Sequence, residues 1–227
     1  MPVLEIWWAR TIDASSELEG VLSQPERARM MKYVHSADRR RFLTAWSLAR
    51  IVLGDHLGVA PSQVPIFRRC LVCGSLEHGK PHLAADAHLE FSLSHAGDRV
   101  AIALGWGTPV GIDVEETTRS IDDGAHQVLS ADEPLTTGFD LLRCWVRKEA
   151  VSKATGYGLN IPMRDYSVSA AWQPARLLSW PADAELVGKL TLLDLAAEPG
   201  YVAAVAAIGS VEKLTIHHAS LEAWARW

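Results

Sequence analysis

"LEFSLSHAGDRVAIALGWGTPVGIDVE", Leu89 to Glu115, is the stretch on which the fold class turns. Leu89, Phe91 and Leu93 point one way and Glu90, Ser92 and Ser94 the other, the period of a half-buried strand. "HAGD" then supplies a turn, "RVAIALGW" a second strand, "GTP" another turn and "VGIDVE" a third strand. The section reads as an antiparallel meander.

Outward from it the period becomes helical. Upstream, "DRRRFLTAWSLARIVLGDHLG", Asp38 to Gly58, carries Phe42, Ala45, Trp46, Ala49, Val52, Leu53 and Leu57 at helical spacing, with Gly58 as the stop. Downstream, "FDLLRCWVRKEAVSKATG", Phe139 to Gly156, has Leu141, Leu142, Trp145, Val146 and Ala150 on one stripe, and strand-like runs follow in "YSVSA", "LVGKLTLLDL" and "YVAAVAAI". Each half thus has a long helix plus strands. The expectation is an α+β protein of two similar lobes, 1–108 and 109–227, meeting near Gly107 to Pro109.

The chain has 227 residues, 48% of them hydrophobic and 22% charged, enough to bury a substantial core. A formal net charge of −5 excludes nucleic-acid binding by bulk electrostatics, since phosphate backbones demand a field of the opposite sign. Any anion must be held locally. The basic residues Arg27, Arg29, Lys32, Arg39, Arg40, Arg41 and Arg50 form an island in this acidic protein, which read alone equally describes a solubilising face. Three cysteines point to a reducing cytoplasm rather than a disulfide framework. No signal peptide is evident, and the most apolar stretch, Tyr201 to Ile208, is far below the roughly 20 residues of a membrane span.

Several residue sets could carry chemistry. Asp113 and Glu115, two apart on a strand, leave the same face roughly 7 Å apart and can reach one cation between them. Such spacing alone more often marks an acidic exposed face. Glu149 lies one helical turn from Trp145 and from Lys153; it is either half of a surface Glu–Lys pair or a third metal ligand or base, with Lys148 and Lys153 facing the anion that the metal also holds. Ser94 and His95 leave a strand beside turn amides, a placement that binds phosphate or merely caps a turn. "HGKP", His78 to Pro81, holds a lysine in a turn. Cys70, Cys73, His78 and His82 have a zinc-like composition on short spacing, for which ordinary loop packing is the commoner outcome.

In order, "GKP", "FSLSHAG", "GIDVE" and "WVRKEAVSKATGYGL" resemble the 4′-phosphopantetheinyl transferases of the larger, surfactin-type (Sfp-type) class. Trp145, Lys148, Glu149, Ala150, Lys153 and Gly156 match every fixed position of that family's helix motif. The resemblance implies a pseudo-twofold α+β fold with coenzyme A and a magnesium ion between two lobes of a monomer. It implies transfer of phosphopantetheine to a serine of an apo acyl or peptidyl carrier protein, releasing adenosine 3′,5′-bisphosphate. Carried over by motif, Asp113, Glu115 and Glu149 bind magnesium, and Glu149 or a water takes the serine proton. Lys153, with Lys148, meets the diphosphate, Ser94 and His95 a phosphate of coenzyme A, Lys80 and Pro81 the adenine side, and Arg41 with Arg27 or Arg29 the ribose phosphate. Two rival readings are a magnesium-dependent nucleotide hydrolase, which leaves the helix motif unexplained, and a non-catalytic coenzyme A or carrier-binding module, which leaves the intact carboxylate set unexplained.

Overall fold

The computed structural model describes residues 3–11, 16–70, 72–76, 78–84 and 88–219. In chain order its strands are β1 (Val3–Arg10), β2 (Ile66–Arg69), β3 (Lys80–Leu83), β4 (Leu89–Ala96), β5 (Arg99–Trp106), β6 (Val110–Glu116), β7 (Ser167–Val168), β8 (Leu177–Ser179), β9 (Leu190–Leu195), β10 (Tyr201–Ile208) and β11 (Lys213–His218). Its helices are α1 (Ser16–Glu19), α2 (Gln24–Met30), α3 (Ser36–Leu57), α4 (Ala125–Val128), α5 (Gly138–Thr155) and α6 (Leu186–Lys189). Both long helices end where a glycine can turn left-handed, α3 at Gly58 (φ 66°) and α5 at Gly156 (φ 75°). No helix among the described residues is long and apolar enough to cross a membrane.

Three apolar clusters order the layers as helix, sheet, sheet, helix. Phe42, Trp46, Ala49 and Leu53 of α3 pack on Phe91, Val100, Ile102 and Leu104, one face of the sheet β11-β1-β5-β4. The opposite face of that sheet, Leu4, Ile6, Ala101 and Ala103, packs on Ile112, Val114, Ala203 and Val205 of the sheet β6-β10-β9. The outer face of the second sheet, Val202, Ala204 and Ala206, meets Leu142, Val146 and Ala150 of α5. Period-two alternation on β10 therefore serves two cores at once, and its run of alanines keeps both layers close.

The expected meander holds only for its first two strands. β4 and β5 pair antiparallel from Leu89↔Trp106 to Ala96↔Arg99, around a two-residue Gly97–Asp98 turn whose first position has φ 52°. β6 instead leaves for the second sheet, where it pairs with β10 from Val110↔Ala207 to Glu116↔Tyr201. A partner so distant in sequence is not announced by local alternation. Likewise β11 pairs in parallel with β1, so this segment of the second half crosses back into the sheet of the first, which a cut between 108 and 109 does not anticipate.

Two sheet edges, β4 and β6, meet beside the site. Here side chains replace a ladder: the Ile112 N–H donates to the Ser92 hydroxyl and the Val114 N–H to the Ser94 hydroxyl, each at 3.2 Å. The two-apart serines of "FSLSH" thus satisfy backbone donors that the interface would otherwise orphan. On the other side of β6, a Cβ at Gly111 would lie 2.1 Å from the Ala150 carbonyl oxygen and 2.3 Å from the Ala154 nitrogen. Only a glycine lets α5 sit directly on β6. Because those atoms are backbone and cannot rotate aside, Gly111→Ala should displace the helix and cost about 1–3 kcal/mol or more, read as a lowered denaturation midpoint. An unchanged midpoint would show that the close approach is dispensable.

Candidate functional site

The close packing of α5 on β6 opens a cleft of about 650 Å³ between that pair and the elements of the first half. Its acidic end is made by Asp113 and Glu115 on β6 with Glu149 and Lys153 on α5. Ser94 and His95 of β4 also line it, with Ser94 bonded to Asp113, as do Lys80 and Pro81 of β3. The far end is basic and aromatic, with Arg29, Arg68, Tyr33, Phe42 and Trp46.

Asp113 is the hub of the acidic end. Its Oδ1 accepts from the Ser94 hydroxyl at 2.8 Å and from the Lys153 ammonium at 2.7 Å. Lys153 also reaches the Ile112 carbonyl at 3.0 Å and the Ser94 oxygen at 3.2 Å. By contrast, Asp113 Oδ2 is buried with no hydrogen-bond partner. A buried carboxylate oxygen left bare is costly unless something positive meets it. Burial, and then the Asp113 charge, push the Glu115 carboxyl up to about 7 against the opposing pull of Arg119, with which it forms an ion pair. Glu149 is raised too, by burial first, with Lys153 opposing and Asp113 reinforcing the rise.

Three carboxyl groups with one bare oxygen and two elevated pKa values suit a divalent cation with oxygen ligands, which removes their mutual repulsion. The three do not converge as they stand. Among the described residues, the single set of three or more His, Cys, Asp or Glu donor atoms within 4.8 Å of one another is Cys70, Cys73 and His78. Glu115 is engaged by Arg119 through one carboxylate oxygen, a pair that competes with an ion for its charge.

Lys148, expected to face the anion, does not. It is fully buried and lies one residue, about 100°, around the helix from Glu149. Its ammonium donates to the carbonyls of Val128 (2.8 Å), Met163 (2.9 Å) and Tyr166 (2.7 Å) and to Glu133 Oε2 (2.5 Å). The preceding Arg147 is equally buried, bridging Asp194 at 2.6 Å and the Ser169, Ala170 and Gln173 carbonyls. These two cations anchor α5 to the loops behind it, while Glu149 and Lys153 take the cleft face.

Arg41 is also not among the residues that line the cleft. It is tied to Asp38 and donates to the Gly97 carbonyl at 3.3 Å, beside the turn that follows His95. Desolvation by the surrounding cleft atoms, then the charges of Lys153 and Arg41, hold the His95 imidazole below its ordinary range, although the residue is itself solvent-exposed. Arg27 is spent on the Glu19 and Leu22 carbonyls, and Arg50 on buried Glu26 at 2.6 Å. Of the basic island, Arg29 is the residue that reaches the cleft wall. Lys80 lines the cleft, but its ammonium donates to the Val110 carbonyl at 2.9 Å and pairs with Glu90 at 3.5 Å.

Sequence reasoning missed Arg68. It stands over the Trp46 ring, 5.2 Å from the centroid, and burial followed by the neighbouring Arg29 charge pushes its guanidinium down to about 10. Two crowded guanidinium groups on an aromatic wall are built for an anion on a planar group. The pairing of Arg68 with Pro81 across β2–β3 puts it beside the HGKP segment, a register that the sequence does not display.

Two protein-family models match the chain. Residues 109–206 match the family model of the 4′-phosphopantetheinyl transferase superfamily, and residues 7–106 match that of the 4′-phosphopantetheinyl transferase N-terminal region. The chain is 30% identical over 212 residues to the 4′-phosphopantetheinyl transferase HetI of Nostoc sp., covering 85% of this chain and 81% of that protein. It is 31% identical over 163 residues to the transferase Sfp of Bacillus subtilis (65% and 71%), and 28% identical over 160 residues to the transferase gsp of Aneurinibacillus migulanus (66% and 62%).

Proposed function

The chain belongs to the 4′-phosphopantetheinyl transferase family, and from that premise we propose how its cleft performs the transfer. Coenzyme A spans the cleft, with its adenosine and 3′-phosphate at the Arg29–Arg68–Trp46 end and its diphosphate at the acidic end. The acceptor is a serine of an apo acyl or peptidyl carrier protein, of the kind that serves polyketide or nonribosomal peptide synthases. The serine oxygen attacks the phosphorus nearer the pantetheine, the bond to the other phosphate breaks, and adenosine 3′,5′-bisphosphate leaves. No enzyme nucleophile is needed, so catalysis reduces to positioning and charge.

The observation that carries the reading is one cleft with a carboxylate-and-lysine end and a guanidinium-and-indole end, matched to a diphosphate and a phosphorylated nucleoside. Asp113, Glu115 and Glu149 are the residues that would hold a magnesium ion, and bound there it neutralises diphosphate charge as a Lewis acid. Lys153, fixed by Asp113, Ser94 and the Ile112 carbonyl, brings its positive charge to the leaving phosphate. Glu149 has no hydrogen-bond partner to compete for its carboxylate among the described contacts, which leaves it available to the serine proton, directly or through a water. Lys148 has no part in this grip.

The test is incubation with coenzyme A, magnesium and apo carriers of the peptidyl, polyketide and fatty-acid kinds, with the intact mass of each carrier read afterwards. Gain of one phosphopantetheine on at least one carrier is expected, together with stoichiometric adenosine 3′,5′-bisphosphate. Cleavage of coenzyme A without a modified carrier would support the hydrolase reading instead, and tight binding with no cleavage the non-catalytic one.

A further inference from the structure

After β2, Cys70, Val72, Cys73 and Gly74 stand at the edge of the cleft, drawn together by backbone hydrogen bonds. The Gly74 N–H donates to the Cys70 carbonyl at 2.9 Å, and the Cys70 N–H to the Ser75 carbonyl at 2.8 Å, with Gly74 at φ 73°. The Cys70 sulfur accepts the backbone N–H groups of Cys73 and Val72. Cys73 Sγ lies 3.3 Å from His78 Nε2, and one donor atom from each of Cys70, Cys73 and His78 falls within 4.8 Å of the others.

Tetrahedral zinc, with Zn–S near 2.3 Å and Zn–N near 2.0 Å, needs sulfurs about 3.8 Å apart and sulfur to nitrogen about 3.5 Å. The three donors therefore stand within about 1 Å of closure, a distance that side-chain rotation covers. We propose that Cys70, Cys73 and His78 bind one zinc ion whose fourth position is open to water, closing the β2–β3 connection into a metal-clipped loop. Two thiolates and an imidazole select zinc over magnesium, whose preferred donors are oxygens, so this site and the carboxylate end of the cleft do not compete for one ion. His82, which composition alone would enrol as fourth ligand, is turned away: its ring faces Phe67, with centroids 5.7 Å apart, and its Nδ1 lies 4.0 Å from Glu90. Cys73 and His78 are exposed, which leaves the fourth position to solvent.

What the clip fixes is the segment that supplies Arg68, Lys80 and Pro81 to the cleft. The Gly79 carbonyl accepts from Arg68 at 3.0 Å, and a Cβ on Gly79 would lie 2.4 Å from the Arg69 carbonyl oxygen, so the chain beside His78 already runs hard against β2. Cys70 and His78 themselves line the cleft. Zinc would fasten the end of the β2–β3 pair at which Arg69 faces Lys80. This holds whether or not the cleft is a transferase site.

The experiment is elemental analysis of the full chain, purified with a reductant and dialysed against metal-free buffer, then exchange of the bound metal for cobalt(II). About one zinc per chain is expected, and a cobalt spectrum with sulfur-to-metal charge transfer in the near ultraviolet and the intense visible bands of a tetrahedral ion. Cys73→Ser should lose the charge-transfer band and bring zinc to background, with its circular dichroism unchanged because Cys73 is exposed; His82→Ala should keep both signals. Absence of zinc and of sulfur-to-cobalt charge transfer in the reduced wild-type chain overturns the proposal. So does an unreduced chain two hydrogens lighter with Cys70 and Cys73 joined and no metal.

Discussion

Asp113→Asn should lower phosphopantetheine transfer by roughly 10²- to 10³-fold at saturating coenzyme A and magnesium, the equivalent of several kcal/mol of charge stabilisation. The substitution isolates one atom. The amide oxygen can still accept from Ser94 and Lys153, as Oδ1 does, so the seam between β4, β6 and α5 survives. What changes is Oδ2, the buried oxygen without a partner, replaced by an NH₂ that repels a cation. The measurement is carrier mass gain over time, beside a denaturation midpoint within error of wild type. Near wild-type turnover at limiting magnesium would remove Asp113 from the metal site. A collapse of stability with the loss of turnover would instead assign the aspartate to the framework.

Lys148→Met should unfold the protein more readily rather than weaken its hold on coenzyme A. Methionine fills the space of the lysine stem but leaves Glu133, 3% exposed, without its cation, and strips a donor from the Val128, Met163 and Tyr166 carbonyls. Breaking a buried pair from one side costs roughly 3–5 kcal/mol. Glu133 keeps the backbone donors of Ser130 and Val168, each at 2.7 Å, which stops the loss from growing further. For a chain of this size the melting temperature should fall by roughly 6–20 °C. A stable variant with a raised KM for coenzyme A would restore Lys148 to the cleft.

That contrast shows what the sequence could convey. The helices 38–58 and 139–156 were legible because apolar period and glycine stops are local, and the strand at Tyr201–Ile208 because an eight-residue apolar run is. Helical phase also separates Glu149 from Lys148. It does not say which of the two meets the cleft, since that depends on carbonyls at 128, 163 and 166 arriving from other segments. Arg68 was invisible for the same reason: its importance comes from standing over Trp46 and next to Arg29, contacts between three separate elements. The partner of β6 was misread because "GTP" permits a hairpin, whereas the burial of Ile112 and Val114 between two sheets requires that β6 pair with β10. Arg41 was overvalued, for the basic island marks a helix end and not the direction of each guanidinium.

The pairing of β11 with β1 sets an order of events during synthesis. Val3–Arg10 is made early, and β5 can cover one of its edges as soon as the β4–β5 hairpin exists. Its other edge has no neighbour until Lys213–His218 has been made, so through most of translation a strand bearing Trp7 and Trp8 offers a bare row of amides and carbonyls. The first half released alone would keep that edge open and be prone to pair with copies of itself. Continuity of one polypeptide through both sheets is thus a safeguard against self-association, quite apart from the cleft it builds.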